Sequence, residues 1–71
     1  MSVGRYRITS PTLALTLEDD RPRAHTLPEG TIILVSTVST GGPGRVVDIL
    51  WDGKQAIMFA LDLASRAEKL D

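Results

Sequence analysis

Apolar and polar residues alternate with a period of two along most of this chain, the pattern of strands with one wet face. Tyr6 and Ile8 alternate with Arg5 and Arg7. Ser10-Pro11 ends that stretch, because proline brings no donor to a ladder. Leu13, Leu15 and Leu17 then alternate with Thr12, Ala14 and Thr16, the cleanest strand signal in the sequence. The spacing of two and the interleaved threonines argue against a helix there. Glu18-Asp19-Asp20-Arg21-Pro22 is a polar turn, and residues 23–27 can return from it as the second arm of a hairpin.

Leu27-Pro28-Glu29-Gly30 carries proline and glycine where a type I turn prefers them. Residues 31–38 are a β-branched run, apolar on both faces around 32–35. The glycine-rich stretch 39–44 reads as a mobile loop. Beyond it, Val47, Ile49 and Trp51 share one face and Val46, Asp48 and Leu50 the other. Asp52-Gly53 is a strong hairpin signal and predicts a type I′ turn with positive φ at Gly53. Ile57, Phe59 and Leu61 then oppose Ala56, Met58 and Ala60, so this strand is apolar on both faces, as suits a central or interface strand. Asp62 is placed as a helix N-cap. Leu63, Ala67 and Leu70 follow at helical spacing, and Asp62 and Arg66 form an i, i+4 pair.

About five short strands with turn signals between them predict an all-β fold, a small barrel or sandwich, in one domain over residues 1–71. The run 45–53 (Arg-Val-Val-Asp-Ile-Leu-Trp-Asp-Gly), followed by 56–63 (Ala-Ile-Met-Phe-Ala-Leu-Asp-Leu), resembles the closing half of SH3-like barrels. There a hairpin is followed by an aromatic residue, a short Asp-Leu helical turn and a final strand or tail. The same stretch is similar to short uncharacterised bacterial proteins with a Trp-Asp-Gly and Met-Phe-x-x-Asp-Leu pattern. Leu27-Pro28-x-Gly30 adds weaker support. The resemblance implies a small SH3-like barrel of about five strands with a short C-terminal helical turn, and it carries no activity. Plasmid-type dihydrofolate reductases are similar in size and fold. The glutamine and tyrosine that contact their ligands have no match in Ile57 and Phe59.

Composition narrows the rest. Apolar residues make up 42% of the chain and charged residues 24%, which is globular rather than disordered material. A chain of 71 residues buries only about 60% of the surface its unfolded form exposes. Cysteine is absent and histidine occurs once, which leaves self-association as the remedy for a small core. Met1 to Tyr6 has no apolar segment of signal-peptide length, and the longest apolar run, 56–61, is far short of a membrane span. These features and the missing cysteines point to the cytoplasm. A net charge of −1 supplies no global field toward nucleic acid or anionic lipid.

No catalytic set, cofactor site or metal site emerges. Gly41-Gly42-Pro43-Gly44-Arg45 lacks the Lys-Ser/Thr and the helix of a phosphate-binding loop, and reads as a plain hairpin loop. Glu18, Asp19 and Asp20 lack the alternating ligand spacing of a calcium loop. His25 has no identifiable catalytic partner. Peptide-binding SH3 domains need several aromatics on one shelf, and only Trp51, Tyr6 and Phe59 are available. If the strands carrying them lie close, Arg5, Arg7, Arg21 and Arg23 form a basic stripe, though acidic neighbours dilute it. The expectation is a non-enzymatic binding or assembly module without cofactor, forming a homo-oligomer or binding another protein. A small nucleic-acid-binding barrel is the disfavoured alternative. The candidate interaction surface is Trp51, Met58, Arg5 and Arg7.

Overall fold

Two tight turns with matching backbone geometry set the two main hairpins. Asp19 and Asp20 have φ of 53° and 63°, and Asp52 and Gly53 have φ of 52° and 75°. Positive φ at both central residues is the type I′ condition, which matches the right-handed twist of paired strands. The computed structural model describes residues 3–38 and 45–70. Its elements are β1 (Gly4–Ile8), β2 (Thr12–Glu18), β3 (Arg21–Leu27), β4 (Ile32–Val38), β5 (Val46–Trp51), β6 (Lys54–Phe59), α1 (Ala60–Arg66) and β7 (Ala67–Lys69). The stretch read as a glycine-rich loop, 39–44, lies outside the described residues.

The described strands form one antiparallel sheet in the order β3-β2-β6-β5-β4-β1-β7. The count is seven rather than about five, and β6 is interior, as its two apolar faces predict. β3 and β7 stand at opposite ends of that order and do not pair. The protein is therefore mostly β with one short helix, and its sheet is open.

The sheet is nonetheless strongly curled. Lying flat, β3 and β5 would be about 14 Å apart, at roughly 4.8 Å per strand. Yet the rings of His25 on β3 and Trp51 on β5 are 5.3 Å apart. The short link between β3 and β4 has the same effect. It is tightened by Thr31 N–H donating to the Pro28 carbonyl at 3.2 Å, although three strands separate β3 from β4 in the sheet. The concave side thus encloses one core: Tyr6, Ile8, Ala14, Leu27, Ile33, Val35, Val47, Ile49, Ala56, Met58, Ala60 and Leu63.

Two local expectations change at the carboxyl end. The helix starts at Ala60 with Phe59 as N-cap, and no side chain caps it. Asp62 sits instead in the first turn, where it favours the helix dipole, with Arg66 Nε 3.9 Å from its carboxylate. The helix then stops at Arg66, and the predicted stripe through Ala67 and Leu70 does not continue as helix. Residues of β7 pair with β1 instead, Ala67 against Ile8 and Lys69 against Tyr6. The Arg66 carbonyl accepts from Thr9 N–H at 2.8 Å, and Arg66 Nη1 donates to the Pro11 carbonyl at 3.0 Å. A ladder along β1 satisfies backbone groups that a longer helix would have satisfied internally.

Candidate interaction surface

The alternation along β2 is inverted relative to the usual arrangement. Thr12, Ala14 and Thr16 are buried, whereas Leu13 is 52% and Leu17 75% exposed. The short inner side chains leave room for β3 to curl over the core, so that Leu27 is fully buried and His25 reaches Trp51. Thr16 Oγ1 and His25 Nε2 share a 2.9 Å hydrogen bond at that junction. The leucines are left on the convex side.

Register extends this convex face across neighbouring strands. Leu15 pairs with Ile57 of β6, which pairs with Asp48 of β5. Leu15 and Ile57 are half-buried, and Phe59, two residues further along β6, is 47% exposed. Between β2 and β5 lies a groove of about 570 Å³, walled by Leu15, Leu17, Pro22 and Ile57 and edged by Asp48 and Gln55. Ser36 closes one side. The ladder between β4 and β5 shifts register between Val35 and Thr37, and the Ser36 hydroxyl donates to the Asp48 carbonyl at 3.2 Å. The Asp48 carboxylate meets no cation and no donor among the described residues. The site combines apolar walls with polar groups from Thr16, Ser36 and Gln55, and has one free negative charge at its edge.

The residues expected to form an interaction surface do not come together. Met58 is 1% exposed and belongs to the core. Parity along β6 gives the outward positions to Ile57 and Phe59, so Met58 offers nothing to a partner. Trp51 is half-buried against the core, with the Lys54 ammonium 5.9 Å from its ring centre. Packing therefore accounts for its indole. Arg5 and Arg7 are exposed on β1, where Arg7 bridges to Glu68 of β7. Arg21 and Arg23 lie on β3, with β2, β6, β5 and β4 between them and β1 in the sheet. Arg23 Nε is also 3.2 Å from Glu18. Strand adjacency therefore builds no four-arginine stripe.

The groove residues were readable one by one but not as a group. Leu15, Leu17 and Ile57 looked like ordinary strand positions, and Asp48 like one polar residue in a hairpin. The available signal was Thr-x-Ala-x-Thr between the leucines, because small residues on one side of a strand can mark the side that another element overlies. Among the described residues, no group of three or more His, Asp or Glu side chains is placed to hold a metal ion. No described helix is long and apolar enough to cross a membrane. No known protein family, curated protein or solved structure matches the chain.

Proposed function

We propose that this chain is a small non-enzymatic binding and assembly module of the cytoplasm, which self-associates through the convex face of β2, β6 and β5. The observation that carries the reading is the outward placement of Leu13 and Leu17 on a strand whose inner positions are threonine and alanine. Leu13, Leu17 and Phe59, with half-buried Leu15 and Ile57 between them, leave on the order of 400 Å² of apolar surface in one patch, the size of the largest patch on a typical monomer, which is often a functional one. A stable contact needs roughly 800 Å² per partner, which the patch and its polar rim can supply. The sheet edges are poorer candidates. β3 carries Arg21, Pro22 and Arg23, residues that blunt an edge, and β7 is three residues long.

The curled sheet is read as an SH3-like barrel, drawn in by the contact between His25 and Trp51, a scaffold that would hold the convex face rigid. Rigidity matters because a preformed surface loses little entropy on docking. Light scattering and sedimentation over a wide concentration range test the proposal. The expected result is a particle heavier than the 7.7 kDa chain, and dissociation on replacing Leu13 and Phe59 by serine. A monomer at every concentration up to the millimolar range would overturn it.

A further inference from the structure

Hairpin geometry fixes where backbone groups point. In a two-residue type I′ hairpin the residues flanking the turn exchange both backbone bonds, and the direction then alternates along each strand. Glu18 and Arg21 flank the first turn, so the N–H and C=O groups of Thr16 and Glu18 point to β3, whereas those of Leu15 and Leu17 point to β6. Trp51 and Lys54 flank the second, so the backbone groups of Ala56 point to β5, whereas those of Gln55 and Ile57 point to β2. The ladder between β2 and β6 nevertheless has one rung, Leu15 with Ile57, against seven pairs between β2 and β3 and six between β5 and β6. The next rung would join Leu17 and Gln55, and it does not form. Their backbone groups instead face each other across the groove, which both residues line. Thr16, Ile49 and Ala56 also line it, although they are no more than 5% exposed. The groove therefore cuts into the sheet where the two hairpins part.

We propose that this slot binds the amino-terminal end of an extended apolar peptide from another protein, added as a short strand between Leu17 and Gln55. In recognition of this kind main-chain pairing gives the affinity, and the side chains beside it give the selectivity. Here the flanking side chains are Leu15, Leu17, Pro22 and Ile57. The rung at Leu15 and Ile57 closes the slot at one end, so a chain end fits it and a chain passing through does not. An inserted strand needs about twice the ladder spacing of roughly 4.8 Å, and strands pinned at one rung can part that far only toward the turns. Charge selects which end enters. Asp48 is the register partner of Ile57, which puts it beside the closed end, and it has no ion pair among the described residues. A terminal ammonium is attracted there and a terminal carboxylate is repelled. Leu13 and Phe59, whose replacement tests self-association, lie on the other side of the rung. Peptide binding therefore does not depend on the self-association reading.

The probe is a tetrapeptide of alternating valine and threonine with a free amino terminus and an amidated carboxyl terminus. It is titrated into the isotopically labelled full chain and followed by nuclear magnetic resonance. The titration is repeated on the chain with Leu13 and Phe59 replaced by serine, so that peptide binding and self-association are read apart. Without peptide, the Leu17 and Gln55 amides should exchange with solvent far faster than the paired amides of Leu15 and Ile57. With peptide, the Leu17 and Gln55 resonances should shift and their exchange should slow, in both proteins. Acetylating the amino terminus of the peptide should weaken binding up to about fivefold, the contribution of one exposed ion pair. Asp48→Asn should weaken the free-amine peptide by the same factor and leave the acetylated one unchanged. No shift at Leu17 and Gln55 up to the solubility limit of the peptide, or equal binding of the free and acetylated forms, would overturn the proposal. So would protection of those two amides without peptide at high protein concentration that is lost on dilution, because a second copy then fills the slot.

Discussion

Thr12 offers the sharpest test of the inverted β2 strand. It is 6% exposed, and its hydroxyl oxygen is buried with no hydrogen-bond partner. A buried hydroxyl without a partner costs about 1–3 kcal/mol. Valine has nearly the same shape, is β-branched and suits a strand, so Thr12→Val removes the penalty without opening a cavity. The expected gain is about 1–2 kcal/mol. For a domain of this size each kcal/mol raises the melting temperature by roughly 4–8 °C. Thr16 is the matched control. It is 5% exposed on the same face, but its hydroxyl bonds to His25. Thr16→Val removes one partner of that bond and should cost about 1 kcal/mol. Thermal and urea unfolding followed by circular dichroism at matched protein concentration would read both, because self-association shifts apparent stability by mass action. Opposite signs are expected. If both variants move the same way, or Thr12→Val is the less stable, then Thr12 and Thr16 do not share the inward face of β2.

Gly53→Val should destabilise the chain by more than about 1 kcal/mol, since φ of 75° strains any β-branched residue; an unchanged melting curve would mean the β5–β6 turn is not type I′. The chain should also show no submicromolar affinity for DNA or RNA at about 0.15 M salt. Even four phosphate contacts would lose roughly 150-fold in affinity between about 50 and 200 mM, and the arginines lie on separated strands. Submicromolar binding in a fluorescence-polarisation titration that weakens in an Arg5/Arg7 double variant would reverse that conclusion.

The hairpins were legible in the sequence because a turn is a local event. Asp19-Asp20 and Asp52-Gly53 impose their geometry through the φ their own residues tolerate, with little help from the rest of the chain. The i, i+4 pair of Asp62 and Arg66 was legible for the same reason. The end of the helix was not. Leu63, Ala67 and Leu70 have helical spacing, but the backbone beyond Arg66 finds its partners on β1, at the far end of the sequence. A ladder of that range leaves no mark in the local pattern.

The groove shows the same division more strongly. Period-two patterning told that Leu13, Leu15 and Leu17 share a face, and that Ile57 and Phe59 share one on β6, because alternation of side chains is a property of any strand. It could not tell which face is inside. That was decided when the sheet curled far enough to set the His25 and Trp51 rings 5.3 Å apart, giving the enclosed side of β2 to its small residues. Met58 went to the core and Phe59 to the surface by the same curl. From the sequence alone came most of the strands, the turns and the sorting of residues into two faces. The tertiary structure decided which face met water, since curvature is a sum over all seven strands and belongs to none of them.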